Sequence, residues 1–194
     1  MARLSVSYSD SETPCFHQIR DFWAGAAQKG FMSAFDIRSS FMTVVVQTQV
    51  LLPNRPGELE KLSHAIAEAN VNIHAIMLRE DAAGASVRLV VDKPKVARKA
   101  LEQHGLTVTE SKLIAVLLPD KPGELWKVSA VLAAHNANIQ YSYTSAKPIH
   151  GKPTILIAIG GVPPERAAEI LQKEGYECID HATLVGTGSA QPPE

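Results

Sequence analysis

Pro53-Asn54-Arg55-Pro56-Gly57-Glu58-Leu59 returns 66 residues later as Pro119-Asp120-Lys121-Pro122-Gly123-Glu124-Leu125. The offset persists downstream. Lys61 matches Lys127, Ser63 matches Ser129 and Ala67 matches Ala133, while Asn70, Asn72 and Ile73 match Asn136, Asn138 and Ile139. It then grows to 68, where Val87 meets Ile155, and to 70, where Leu101 meets Leu171 and Gly105 meets Gly175. An offset that widens in steps marks a duplication whose second copy has longer loops around the same elements.

Each copy reads as βαββαβ. In the first, Val44 to Leu52 is β-branched and apolar, as a strand requires. Pro56 suits the first position of a helix, where its missing N–H would have no partner. Leu59, Leu62, Ala65, Ile66 and Ala69 then fall on one helical face, and Asn70, tolerant of the left-handed conformation, closes the helix. Asn72 to Arg79 and Ser86 to Asp92 read as strands around a turn at Asp81 to Ala85. Lys93 to His104 reads as a helix ended by Gly105, and Leu106 to Glu110 as a last strand. The second copy repeats the order: strand Lys112 to Leu118, helix Pro122 to His135, strands Asn138 to Ser145 and Thr154 to Ile159, helix Pro164 to Lys173, and a final strand Tyr176 to Leu184.

This order predicts an α+β fold of two ferredoxin-like βαββαβ modules in tandem, each an antiparallel sheet with both helices on one face. The expected modules are residues 43–111 and 112–186, with a disordered tail at 187–194. A unit of about 65–70 residues buries only a marginal core, and Val44 to Val50 is apolar on both faces. The copies are therefore expected to pack on each other. Residues 1–42 have no partner in the repeat; they hold Trp23 and all five phenylalanines without a helical or strand period. They read as a docking arm or as sequence ahead of a native start at Met42, and the second reading is preferred.

Composition narrows the function. With 19 Lys+Arg against 20 Asp+Glu the net charge is −1, so the basic field that sequence-independent nucleic-acid binding needs is missing. The apolar runs are strand-length, short of the roughly 20 residues of a membrane-spanning helix. Cys15 and Cys178 form neither a disulfide framework nor a paired metal motif. A cytoplasmic protein without nucleic-acid, membrane or cofactor partners is expected. The histidines show no metal-ligand spacing, and no nucleophile elbow, Walker sequence or dinucleotide fingerprint occurs.

The strand-to-helix turn carries what chemistry there is. Gly57 and Gly123 lack a Cβ, so a ligand or a second backbone can approach closely. The N–H groups of the following helical turn point at that spot, where the helix dipole favours an anion such as a carboxylate. Asn54 and Asp120 stand at its lip, either as ligand contacts or as helix caps.

PNRPGEL with NVNI, and PDKPGEL with NANI, resemble the ACT domain, an amino-acid-binding regulatory module of metabolic enzymes. The resemblance spans about residues 43–185, twice in register. It implies a βαββαβ fold with an amino acid or similar small metabolite bound at an interface between modules, the loop after the first strand supplying backbone N–H groups. The first copy is similar to the regulatory domain of D-3-phosphoglycerate dehydrogenases, where the matching positions of Asn54 and Asn72 bind the effector. That domain has a His two residues before its first Asn; Leu52 stands there, so serine does not carry over as the ligand. The candidate contacts are Asn54, Arg55, Pro56, Gly57 and Asn72 in the first copy, joined by His74, which follows Asn72-Ile73 on the second strand at the place Gln140 holds in the other copy. In the second they are Asp120, Lys121, Pro122, Gly123, Asn138 and Gln140. The first copy alone keeps the Asn pair, and if only one site is occupied it is expected to be that one.

The expectation is thus a non-enzymatic, allosteric, homo-oligomeric sensor, with a metabolic enzyme as a further possible partner. The alternative is a regulatory subunit or transcription-associated regulator acting mainly through protein contacts. An enzymatic reading would need a phosphate site such as Arg55 with Asn72. Trp126 reads as an exposed or interface aromatic, and Tyr141 and Tyr143, two apart on a strand, point to one face that faces the other copy.

Overall fold

The computed structural model describes residues 43–81 and 84–186, and both copies belong to one compact unit. The expectations for residues 1–42, for the tail from 187 and for the middle of the turn at 81–85 lie outside the described residues. The first copy contains β1 (Val45–Leu52), α1 (Glu58–Glu68), β2 (Ile73–Asp81), β3 (Gly84–Val91) and α2 (Pro94–Gln103). A long β4 (Thr107–Leu117) leads into α3 (Glu124–Ala134), β5 (Asn138–Thr144), β6 (Thr154–Gly160), α4 (Pro164–Lys173), β7 (Glu177–Ile179) and α5 (His181–Val185).

The strands run β2-β3-β1-β4-β6-β5, with β7 also paired to β4, and every pairing is antiparallel. Each module thus has the strand order of a ferredoxin-like sheet, and β4 belongs to both. Two strands were expected there, meeting between Glu110 and Lys112. They are one, because no glycine or proline interrupts Thr107 to Leu117 and β1 pairs with it without a break from Leu51↔Thr107 to Val45↔Leu113. β6 and β7 then take over at Ile114 to Leu117.

Two further expectations are corrected. The helices after the repeated turns start at Glu58 and Glu124 rather than at Pro56 and Pro122, because Gly57 and Gly123 each adopt a left-handed φ of 88° at the N-cap. The expected strand Tyr176 to Leu184 stops at Ile179. Asp180 accepts a hydrogen bond from Thr183 N at 2.8 Å and Gly186 turns left-handed, so the segment between them coils into α5. Asn70 and Asn136 do close their helices in the left-handed region, at φ 50° and 57°.

Burial follows the alternation of each strand. Val50, Leu52, Val87, Leu89, Val91 and Val108 meet Leu62, Ala65, Ile66, Ala97 and Leu101 of α1 and α2 in the first core. Ile114, Val116, Ile157, Val128, Leu132, Ala167 and Leu171 form the second beneath α3 and α4. A third cluster joins the helix-free faces: Val45, Ala75 and Val90 from the first module, Ala115, Leu117, Leu156, Ala158 and Ile179 from the second, and Leu113 on the shared strand. Fully burying each such large side chain contributes about 1.5–3 kcal/mol. The marginal cores are thus completed by packing the modules face to face, as the two-sided apolar strand implied.

Candidate ligand-binding site

The two glycine turns have one geometry. Arg55 N donates to Pro53 O at 2.9 Å, Glu58 N to Arg55 O at 3.3 Å and Lys61 N to Gly57 O at 3.0 Å. The second copy repeats these bonds from Lys121, Glu124 and Lys127 at 2.9, 3.4 and 3.0 Å. Neither helix has a side-chain N-cap, so Asn54 and Asp120 do not act as caps. Asn54 instead donates to Glu80 Oε1 at 2.6 Å, tying the turn to the end of β2. Ala146 stands in the place of Glu80 in the second copy, and Asp120 makes no side-chain hydrogen bond or ion pair among the described residues. Beside the first turn an open groove of 470 Å³ runs past Pro53, Glu58, Lys61, His64, His104 and Thr107.

Asn72 is far from Asn54. β1 and β2 are both antiparallel to β3, with Leu52 and Glu80 level with Ala85 but Ile73 level with Val91. Six residues of β3 separate the two ends, roughly 20 Å of strand. A single module therefore does not bring the two asparagines into one site, and it separates Arg55 from Asn72, which dissolves the phosphate-site pairing. Asp120 and Asn138 are divided in the same way, since Leu117 pairs with Thr154 and Asn138 with Gly160.

What the structure does bring together lies at the start of β2, against the second module. Asn72 N donates to Asp92 Oδ1 at 2.9 Å, and the Asn72 side-chain amide donates to His74 Nε2 at 3.3 Å. Ala146 N of the second module donates to His74 O at 2.8 Å. Burial holds the His74 pKa below its ordinary value; Lys147 pushes the same way and Asp92 opposes both. His181, opening α5, accepts from Val46 N at 3.3 Å. Its pKa is also lowered, chiefly by burial and further by His74, against the Val91 backbone, Asp180 and Asp92. Of the twelve residues expected at the site, His74 alone is half-buried; the other eleven are exposed. Gln140, its counterpart, folds over Gly160.

The seam also holds polar residues that the sequence reading left unassigned. Gln47, fully buried, donates to Ser111 Oγ at 2.9 Å and Tyr141 OH at 2.8 Å, and accepts from Tyr143 OH at 2.8 Å. Arg88 stacks on Tyr141 with Cζ 4.3 Å from the ring centre. Burial pushes the Tyr143 hydroxyl well up. The tyrosine pair faces the other copy, as its alternation implied. The sign for Gln47 was its place in the same alternation, a polar residue between Val45 and Gln49 on one face. Cys178 is buried, and burial raises its thiol to about 12, far from a nucleophile's range. Trp126 is 72% exposed. Among the described residues no group of three or more His, Cys, Asp or Glu is placed to hold a metal, and no helix is long and apolar enough to cross a membrane.

Among solved structures, protein BT0572 from Bacteroides thetaiotaomicron is similar, at 25% identity and a TM-score of 0.67, over 74% of this chain and 96% of that one. The ligand-free regulatory subunit of aspartate kinase from Thermus thermophilus shares the fold at 22% identity and a TM-score of 0.52, over 67% and 90%. The Thermus flavus subunit does so at 20% and 0.50, over 68% and 92%. No curated protein matches the sequence. Residues 42–186, well over half of the chain, match the family described as the ACT domain pair, and the chain belongs to that family.

Proposed function

We propose that this ACT domain pair is a small-molecule-binding regulatory protein that senses an amino acid, or a similar small metabolite, where its two modules meet. The observation that carries the reading is the seam around His74. Asp92 of the first module accepts from Asn72 N, the Asn72 side chain is bonded to the imidazole, and Ala146 of the second module, the chain neighbour of Lys147, donates to the His74 carbonyl. An anion and a cation flanking polar donors complement the ammonium and carboxylate of a free amino acid. A ligand held there contacts both modules, stabilises one arrangement over others and so acts allosterically. The kinship with aspartate kinase regulatory subunits supports a regulatory rather than catalytic role. On this reading the protein is a cytoplasmic homo-oligomer. The turns at Asn54, Arg55, Pro56 and Gly57 and at Asp120, Lys121, Pro122 and Gly123, with Asn138 and Gln140, are its remaining candidate contacts.

Titration calorimetry of the full chain against the standard amino acids tests this. Binding at micromolar to millimolar concentration, weakened about tenfold or more in Asn72→Ala or Lys147→Ala, is the expected result. A folded chain that binds none of them at millimolar concentration overturns it. A second reading, action mainly through contacts with a metabolic enzyme, is favoured by the exposure of Leu125 and Trp126 on α3. Its mark is a complex that forms without added amino acid and is lost in Trp126→Ala.

A further inference from the structure

The helix-free faces of the two modules share a layout and differ in chemistry. On the second, Leu156 of β6 lies level with Ala115 of β4, and Thr154 with Leu117. Ala115, Leu117 and Leu156 are all buried in the cluster between the sheets. On the first, the equivalent pairs are Arg88 with Gln49 and Ser86 with Leu51, on β3 and β1. Arg88 stands where the duplication has Leu156, 68 residues on. Its guanidinium stacks on the ring of Tyr141 from the second module, and its Nε and Nη1 are shielded from solvent without a hydrogen-bond partner. The Ser86 hydroxyl, two residues along the same face, is buried and unbonded as well. The face continues as Met77, level with Arg88, and Arg79, level with Ser86, on β2, and as Thr109, level with Gln49, on β4. No carboxylate stands among these neighbours.

A cation shielded from water is ordinarily paired, and leaving its N–H groups without acceptors is costly. Tyr143 cannot supply the charge: burial keeps it a neutral phenol, and its hydroxyl is donated to Gln47. Stacking on Tyr141 fixes the plane of the guanidinium and with it the direction of its donors. We infer that Arg88 and the Ser86 hydroxyl seat a small oxyanion, a carboxylate or phosphate group, on the helix-free face of the first module, with Arg79 adding positive charge at the rim. Guanidinium and hydroxyl donors suit the oxygen lone pairs that both groups share. Leu156 gives the second module no such site. The site is also separate from the cluster at His74. Three residues of β3, roughly 10 Å, lie between Arg88 and Val91, opposite which β2 begins. It thus goes beyond the amino-acid site of the functional reading and does not rest on it.

Titration calorimetry of the full chain at constant ionic strength tests this with two probes, inorganic phosphate and succinate, and with chloride as the control. The expected result is saturable binding of at least one probe at millimolar concentration or below. Saturation by phosphate alone marks a phosphoryl ligand, and by succinate alone a carboxylate. Arg88→Gln weakens the binding about tenfold or more, and Ser86→Ala about threefold. Arg88→Lys, which keeps the charge but loses the planar donors, weakens it by less than Arg88→Gln. Ser86→Ala removes a hydroxyl that bonds to nothing in the protein, so it tests the site without disturbing the fold. Asn72→Ala, at the His74 cluster, leaves probe binding unchanged, which separates a failure here from a failure of amino-acid binding there. A folded chain that saturates with neither probe at tens of millimolar overturns the proposal. So does binding that survives both Arg88→Gln and Ser86→Ala at full strength, or that is lost only in Asn72→Ala.

Discussion

Around Gly57 and Gly123 the two modules are built alike, with one φ and one set of three hydrogen bonds; a few residues away they part. Asn54 is tied to Glu80, whereas Asp120 looks out where Ala146 offers it nothing. Asp92 accepts from Asn72 N, whereas Gly160 in the equivalent place is covered by Gln140. The fourth strand of the first module is part of an eleven-residue β4, whereas that of the second is the three-residue β7 followed by α5. Glycines in the left-handed region dictate what both copies retain, and side-chain chemistry makes the differences. The turn is therefore a requirement of the fold, and specificity is to be sought where the copies disagree.

The sharpest way to break this comparison is to ask whether the modules are two bodies at all. Leu113 is fully buried on the strand they share, in the cluster between their sheets. Leu113→Ala should cost about 3 kcal/mol, for the lost transfer energy and the cavity left behind. Because β4 belongs to both sheets, the loss should appear in both modules together, as one denaturant transition moved to lower midpoint with unchanged slope. Hydrogen exchange that weakens in one module alone would show the copies to be independent.

Much of this architecture was legible because repetition doubled every signal. The left-handed closures at Asn70 and Asn136, the apolar faces of α1 and α3, and the packing of copy on copy were all readable from residue type and spacing. The boundaries that went astray did so for local reasons. Glu110-Ser111-Lys112 looks like a linker by polarity, yet polar residues extend a strand readily when β1 pairs along its whole length. Asp180 reads as strand until Thr183 and Gly186 are weighed as the partners that turn it into a cap. The site was less legible. The repeat marks Asn54 and Asn72 by residue type, but which ends of which strands they occupy depends on sheet order. The cluster of Asn72, His74, Asp92 and Lys147 assembles residues from two modules, which no spacing within one copy announces.

An intermediate effect measures how equal the two turns are. Gly57 and Gly123 share a φ of +88°, and a Cβ at either would meet nothing within 4 Å. Alanine at each should then cost only the left-handed backbone penalty, about 1 kcal/mol, and the same amount in both copies. Equal midpoint shifts in urea for Gly57→Ala and Gly123→Ala would confirm that the duplication holds the turns identical. A gap between them well beyond measurement error would mean that one turn bears strain or contacts that the other lacks.

The smallest effect lies at His74 and His181, two half-buried histidines of the seam. Both have pKa values below 6.5 in the folded chain, with burial as the first cause. Around them stand Asp92 and Lys147 for His74, and His74, Asp180 and Asp92 for His181. Above pH 6.5 both imidazoles are neutral in folded and unfolded chains alike, and the seam is at full strength. As the pH falls below that value the unfolded chain takes up protons first, so stability declines until the lower folded pKa values are passed. Between about pH 8 and about pH 5 the midpoint of thermal unfolding should fall by a few degrees from this source. His74→Gln copies the side-chain type at the equivalent place in the second module, Gln140, and His181→Asn keeps an acceptor for Val46 N. Each removes one titrating group, and the double variant should show the shallowest pH dependence of the set. If its slope equals that of the parent, the pH response arises elsewhere, and the first module owes nothing electrostatic to holding a histidine where the second holds a glutamine.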